Sequence, residues 1–591
     1  MEIMMTKHYT NERNVQIVIS LLKQHGIKKV IASPGTTNIT FVASIQQDPW
    51  FEIYSSVDER SAAYIACGMA AESGEPVVIS CTGATASRNY MSGLTEAYYR
   101  KLPVVAITSH QGTHRIGHLI AQQIDRRNLP ADIALESVTV PIVKDSTDER
   151  YCEIEVNKAL LALRQNGGGP VHINLFTTYS RDFSVEQLPE ANVIRRHSVY
   201  DNLPELKHDG HIAVFIGSHK PFTAEETKAI DDFCAANDAV VFHDHTSGYY
   251  GQYGVRNALL VKQHSNASVK QIDTLIHVGE ISGDYEGMAF RKKTVWRVSE
   301  DGALRDSFGK LTDVFQMPEK IFFEKYTRKD SPVHREFLDE CRSVYKKVLN
   351  DIPELPFGNI WIAQYLSKRI PEGSNLHLGI LNTLRSWDFF DIANDVTTNC
   401  NVGGFGIDGN MSSMIGASLV HPDKIYFGIF GDLSFFYDMN VVGNRHVGNN
   451  VRILLINNGR GTEFRNYNHP GAAFGEKADE YIAAARHYGN KSENLVKHYA
   501  TDLGFEYITA SSKQEFQTNA ERFLTPEQTN RPILFEVFTD SQDESDAIYA
   551  INHLYPEEAP KPSMKQIVKN EIKSIVGERG VKIGRAILGK D

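Results

Sequence analysis

The stretch Ile425-Tyr426-Phe427-Gly428-Ile429-Phe430-Gly431-Asp432-Leu433-Ser434, followed after residues 435–450 by Val451-Arg452-Ile453-Leu454-Leu455-Ile456-Asn457-Asn458, decides how this chain is read. Two short apolar runs, each stopped by a polar residue, have the length and composition of buried strands, and the segment between them is long enough for a helix. That pattern is a β-α-β crossover. Parallel neighbouring strands would deliver Asp432 and Asn458 to one carboxyl edge, where open α/β sheets hold their ligands. One carboxylate and one amide oxygen beside glycines suit a hard divalent cation that takes its other ligands from water and a diphosphate. Each half has a plainer reading by itself, since Asp after a strand commonly caps a helix and Asn-Asn commonly makes a turn.

Upstream the same rhythm repeats. Residues 12–30 carry Val15, Ile17, Val18, Leu21 and Leu22 at helical spacing and run into a strand at Lys29–Ala32. Ser33-Pro34-Gly35-Thr36-Thr37-Asn38 makes a tight loop. Further strands are expected at 51–56, 76–80, 104–108 and 171–176, with Asp58-Glu59-Arg60 opening a helix of small residues. A second series falls at 211–217, 239–242, 274–279 and 294–298. Strands alternating with helices give an α/β fold of three doubly wound parallel-sheet domains, over 1–190, 191–350 and 351–555, with a basic helical tail at 556–591. No G-x-G-x-x-G follows a strand in the middle series, so that domain is expected to be structural.

With 591 residues, 41% hydrophobic and 23% charged, the chain has the make-up of a multidomain globular protein. A net charge of −11 argues against a nucleic-acid partner. No run is long enough to span a membrane, and the first residues lack a signal peptide's apolar core, so a cytoplasmic location is expected. Six cysteines, at 67, 81, 152, 234, 341 and 400, have no C-x-x-C spacing and imply neither disulfides nor a zinc site. His243-Asp244-His245 reads as a polar loop after a strand rather than as metal ligands.

The Gly431-Asp432 and Asn457-Asn458 pair resembles the diphosphate-binding signature of thiamine diphosphate enzymes, with Leu433 in its third position and a slightly short interval. The Gly-Asp-Leu-Ser form, Tyr437-Asp438-Met439-Asn440, Gly406-Ile407-Asp408-Gly409 and Asp58-Glu59-Arg60 are most similar to one branch, the MenD-like synthases of the menaquinone pathway, and the similarity extends over nearly the whole chain. The resemblance implies a pyrimidine-binding first domain, a structural middle domain and a diphosphate-binding third domain. It implies thiamine diphosphate and Mg²⁺ as cofactors. Asp432, Asn458 and the carbonyl of Arg460 would hold the metal. Pro34, Gly35, Thr82, Asn382, Thr383, Gly406, Ile407, Gly431, Ser434 and Phe464 would contact the cofactor, with Ile407 wedged between its rings. Glu59 would be the catalytic carboxylate at the pyrimidine nitrogen N1′, and Gln122 would reach the reaction centre. Because the two halves of such a site come from different subunits in that superfamily, a homodimer or homotetramer is expected.

The expected reaction is decarboxylation of a 2-oxo acid with transfer of the acyl unit to an acceptor. Two alternatives stand beside it: a simple decarboxylase of the sulfopyruvate or phosphonopyruvate type, and a non-catalytic cofactor-binding scaffold. Thr37, His110, Arg385, Glu463 and Arg465 are candidate substrate contacts. At three positions where the branch uses arginines for polycarboxylate substrates, this chain has Thr37, Gln111 and Val402, a loss of cation that argues against the menaquinone-pathway reaction. Glu463 adds a negative charge that suits a polyol, sugar or amine.

Overall fold

Each sheet is assembled from short apolar strands whose alternate residues bury into two opposite helical layers. The computed structural model describes residues 8–263, 268–284, 288–329, 331–393, 395–483, 485 and 492–555. The first sheet holds β1 (Lys29–Ala32), β2 (Glu52–Ser55), β3 (Val77–Thr82), β4 (Val104–His110), β5 (Glu136–Val140) and β6 (Val171–Phe176). Its order is β2-β1-β3-β4-β6-β5, parallel throughout. In β3, Val77, Ile79 and Cys81 join the core under the helix Glu59–Ser73, while Val78 faces the other core with Val30 and Val105. Both faces are therefore covered, and the strands read as continuous apolar runs.

The second sheet contains β7 (Arg195–Ser198), β8 (Ile212–Ile216), β9 (Ala239–His243), β10 (Gly254–Arg256), β11 (Gln271–Val278), β12 (Arg291–Ser299) and β13 (Leu311–Gln316). The order is β10-β9-β8-β11-β12-β13-β7. The third holds β14 (Asn375–Leu378), β15 (Thr397–Asn399), β16 (Tyr426–Gly431), β17 (Val451–Asn457), β18 (Glu506–Ala510) and β19 (Ile533–Phe538), ordered β15-β14-β16-β17-β19-β18 and again parallel throughout. The first and third sheets thus share one winding. In each, the chain leaves the first strand for an edge and then returns to the first strand's other side.

By compactness the chain divides into two units, Met1–Val214 with Asp273–Val278 and Lys292–Lys329, and Phe215–Ile272 with Gly279–Arg291 and Asp330–Asp591. The first sheet lies within one unit and the third within the other. No helix among the described residues is long and apolar enough to cross a membrane. The basic tail at 556–591 lies outside the described residues.

The helix expected between β16 and β17 is Asp432–Asp438, continued by a 3₁₀ turn over Met439–Gly443. The side chain of Asp438 turns away to accept hydrogen bonds from Ser412, at 2.6 Å from both its backbone N and its Oγ. The amphipathic helix at the start ends at Gln24, where His25 and Gly26, the latter at φ +73°, close it before β1. His243 ends β9 and Asp244 and His245 open the polar loop expected after it, a loop that is buried: Asp244 accepts from Thr246 and Ser282 at 2.6 Å, and the His245 backbone N–H donates to Asp388 at 3.0 Å. Among the described residues no cluster of His, Cys, Asp and Glu could hold a metal ion by itself.

Candidate active site at two sheet switch points

The shared winding puts a topological switch point between β1 and β3 and another between β14 and β16, the places where an open α/β sheet leaves a crevice at its carboxyl edge. The residues singled out in the sequence gather at these two edges. In the first sheet, Ala32 pairs with Ser55 and with Ser80, and Thr82 with Ser109, so the loops after β1, β2, β3 and β4 emerge side by side. They carry Pro34 and Gly35, Glu59, Thr82 and His110.

Gly35 is required by close approach. A Cβ there would stand 2.7 Å from the Thr82 Cβ, so the loop lies directly on the end of β3. Gly35→Ala is expected to destabilise the chain by ~1–3 kcal/mol through overpacking, read as a lower thermal midpoint. Thr37 is buried beside it, contacting the Thr82 hydroxyl and donating to the Ser109 carbonyl at 2.6 Å. Its polar atom is thereby committed to holding the loop. Glu59 is the first residue of the helix Glu59–Ser73, capped by Asp58, whose carboxylate accepts from the Ser61 N–H at 3.1 Å. It is half-buried and accepts a 3.3 Å hydrogen bond from Asn89. His110 is buried, and burial together with nearby Arg126 pulls its pKa down to about 4, which makes it a neutral imidazole. Its Nδ1 accepts from the Gly112 N–H at 3.1 Å. Gln111 is tied to Arg115. Gln122 is exposed and holds a left-handed backbone at φ +63°.

In the third sheet, Gly431 pairs with Ile456, so Asp432 and Asn458 leave adjacent strands at the same edge, as the crossover pattern predicts. Asp432 is 5% exposed. Burial pushes its pKa up to about 7 against hydrogen bonds from the Leu433 and Gly459 backbone, and among the described residues no cation pairs with it. A withdrawn carboxylate without a counter-charge is a costly arrangement that a bound cation would relieve. A Cβ built on Gly431, the residue before Asp432, would meet nothing within 4 Å, so there is open room beside the carboxylate. The donor set and the space fit a metal–diphosphate group.

Ile407 is fixed to the same edge. Ser434 Oγ donates to its carbonyl at 2.8 Å, and Asn410 donates to Ser434 Oγ at 3.0 Å. The serine proton is thus spent on the backbone that carries Ile407, and the isoleucine side chain stays half-exposed. Phe405, just before Gly406, and Leu381, just before Asn382, are non-glycine residues at φ +55° and +74°. Such backbone costs on the order of 1–3 kcal/mol and collects at functional sites. Thr383 is buried. Asn382, with its amide nitrogen turned toward the carboxylate, pairs with Glu463.

The charged candidates neutralise one another. Arg385 Nη1 lies 2.6 Å from Glu463 Oε1, each side chain about a fifth exposed. Arg465 and Arg460 both face Asp479, at 3.2 and 3.4 Å. Phe464 packs edge-on against His469. Val402 is buried. Glu463 therefore does not offer a bare negative charge, and neither arginine stands without a carboxylate.

Four supporting residues escaped the sequence reading: Asn89, Asn410, Asp479 and Glu544. Glu544 is fully withdrawn from water and accepts from the Asn359 backbone and side chain at 2.9 and 3.0 Å and from Thr539 at 3.0 Å. A signal existed, since Glu544 falls on the same helical face as the buried Ala547 and Ile551, where a charge is out of place.

Residues 13–129 match the family model of the thiamine pyrophosphate enzyme N-terminal TPP binding domain. With two switch-point clusters on twin α/β sheets, this defines a thiamine diphosphate enzyme, of the 2-oxo acid decarboxylase and carboligase class. The chain is 30% identical over 561 residues to the 2-succinyl-5-enolpyruvyl-6-hydroxy-3-cyclohexene-1-carboxylate synthase of Bacteroides thetaiotaomicron, covering 91% of this chain and 98% of that one. Against the synthase of the same name from Phocaeicola vulgatus it is 29% identical over 566 residues, covering 92% and 99%. The protein belongs to this MenD-like synthase family.

Proposed function

We propose that this enzyme uses thiamine diphosphate with Mg²⁺ to decarboxylate a 2-oxo acid and transfer the acyl unit to an acceptor, and that its reaction is not the menaquinone-pathway one. The observation that carries the second part is the charge state of the site. The product for which the relatives are named bears succinyl, enolpyruvyl and ring carboxylates. Here Thr37 is bonded into its own loop, Gln111 to Arg115, Val402 is buried, Arg385 is matched by Glu463, and Arg465 shares Asp479 with Arg460. A pocket with so little uncompensated positive charge suits a donor and acceptor with fewer carboxylates.

In this reading Asp432, Asn458 and the Arg460 carbonyl hold the cation, while Asn382, Thr383 and Gly431 line the diphosphate. Gly406 and Phe464 lie against the bound cofactor. Ser434 and Asn410 position Ile407, whose side chain keeps water from the cofactor's rings. Glu59 holds a proton at the pyrimidine nitrogen N1′, and Asn89 orients its carboxylate. Pro34, Gly35 and Thr82 form the wall around that ring, with Gln122 reaching in from its exposed loop and neutral His110 behind. Bound there, the cofactor would supply the carbon nucleophile for the 2-oxo carbonyl and the sink for the bonding pair that departing CO₂ leaves behind. Because the two edges belong to different units of the chain, a homodimer or a homotetramer that completes each site from two copies is the proposed working form.

Steady-state turnover with pyruvate and with 2-oxoglutarate, each with and without candidate carbonyl and activated-alkene acceptors, tests the reading. The expected result is a kcat/KM at least about tenfold higher for the monocarboxylate, equivalent to ~1.4 kcal/mol of transition-state discrimination. A preference for 2-oxoglutarate, with formation of the relatives' succinylated product, would refute it.

A further inference from the structure

A cavity of about 790 Å³ opens beside the ends of β9 and β10, between them, the helix Glu336–Asn350 and residues 391–393, 396 and 398. All its lining lies within the second compact unit, and none of it belongs to the switch-point clusters. The volume is that of a metabolite site, in the range of roughly 300–1,000 Å³. Its wall carries Arg256, Arg335, Arg342, Lys346 and Lys368 against a single carboxylate, Asp391.

What separates this wall from an ordinary solvated basic patch is the residue at its base. Arg256 ends β10 and is 9% exposed, and its Nε and Nη1 are buried without a hydrogen-bond partner among the described residues. The paired carboxylate, Asp391, is itself exposed and stands 3.8 Å from Nε. A guanidinium withdrawn from water with two donors unmatched is costly unless an anion arrives to match them. His243 and His245 in the same wall do not compensate, because burial, seconded by Arg256, holds both imidazoles neutral.

The other cations are arranged to meet the same ligand. Arg342 and Lys346 lie four residues apart on one face of their helix. Arg342 is anchored by donating to the carbonyls of Gln252 and Gly254 at 2.7 and 3.2 Å. Arg335 precedes the same helix and stacks over the Tyr253 ring at 5.6 Å. Guanidinium forks match phosphate and carboxylate oxygens two at a time. We propose that this cavity binds a small anion bearing two or more phosphate or carboxylate groups, with Arg256 at its depth and Arg342 and Lys346 at its mouth.

Calorimetric titration of the full chain, saturated with thiamine diphosphate and Mg²⁺ so that the diphosphate edge is filled, tests this with two probes. Fructose 1,6-bisphosphate represents the phosphate source and tricarballylate the carboxylate source. One site per chain for either probe is expected, and the probe that binds names the chemistry. Arg342→Gln with Lys346→Gln, both away from the buried base, is expected to weaken that site by about tenfold or more, at unchanged affinity for thiamine diphosphate. Arg256→Met is expected to abolish binding and to raise the thermal midpoint of the ligand-free chain. Neither probe binding, or the double variant binding as tightly as the parent, overturns the proposal.

Discussion

Glu59→Gln is expected to lower CO₂ release from any active 2-oxo acid by roughly 10²–10⁴-fold, the span usual for loss of a positioned acid–base group. The substitution keeps the shape of the side chain, and the cap of the helix belongs to Asp58, so the local fold is retained. What goes is a carboxylate able to hold a proton at the pyrimidine nitrogen. The plainer role for an acidic residue in a first helical turn, a favourable charge on the helix dipole, is worth only ~0.3–1 kcal/mol. The rate loss corresponds to ~3–5 kcal/mol, so the two roles separate cleanly. Turnover and thermal midpoint measured on one preparation decide between them. A midpoint that falls while turnover stays within tenfold of the parent would leave Glu59 as a helix-end charge. Asn89→Ala, which removes the 3.3 Å donor but keeps the carboxylate, is expected to give a smaller loss in the same direction.

The central strands were legible because burial on both faces leaves them no choice of composition. β1 and β6 run over the residues the apolar pattern marks, β17 extends it by one residue, and β16 is shifted from it by one residue at each end. Of the edges, β2 was read from the sequence and the most polar ones were not. β7 is Arg195-Arg196-His197-Ser198 and β15 is Thr397-Thr398-Asn399; such strands are short and polar because an apolar open edge would invite pairing with another chain. Their pairing is fixed by neighbours such as β13, which lies register-matched to β7 more than a hundred residues away. The candidate site divides in the same way. Asp432, Asn458 and the Gly35 loop stand at strand ends, where local sequence dictates position. The pairing of Arg385 with Glu463, and of both Arg460 and Arg465 with Asp479, depends on where separate loops come to rest. Sequence spacing presented those residues as individual charges; the fold makes Arg385 and Glu463 a pair and sets Arg460 and Arg465 against one shared carboxylate, Asp479.

Asp432→Asn is expected to act in opposite senses on the stability of the empty enzyme and on its affinity for the cofactor. Burial raises this carboxyl from 3.8 to about 7, so the folded chain favours its protonated form. The sign follows from linkage: the penalty is absent below the unfolded value, grows as pH rises through the folded one, and is complete near pH 8. Each tenfold gain in proton affinity on folding corresponds to about 1.4 kcal/mol, so the metal-free enzyme carries a cost of up to ~4 kcal/mol at this position. The neutral amide removes it, so in EDTA at pH 8 the variant is expected to unfold at the higher temperature, with the difference narrowing at pH 5. With Mg²⁺ and thiamine diphosphate the gap closes by most of its width. A ligand present at a hundred times its dissociation constant stabilises by ~2.7 kcal/mol, and a chain with the intact carboxylate receives that contribution while the variant does not. Calorimetry is expected to show at least a hundredfold loss of Mg²⁺-dependent cofactor affinity, about 2.7 kcal/mol. A variant less stable than its parent without metal would mean that Asp432 serves the fold, and undiminished cofactor binding would move the metal elsewhere. The combination of a gain in stability without ligand and a loss of cofactor affinity belongs to a carboxylate kept at a structural cost for the cation it receives.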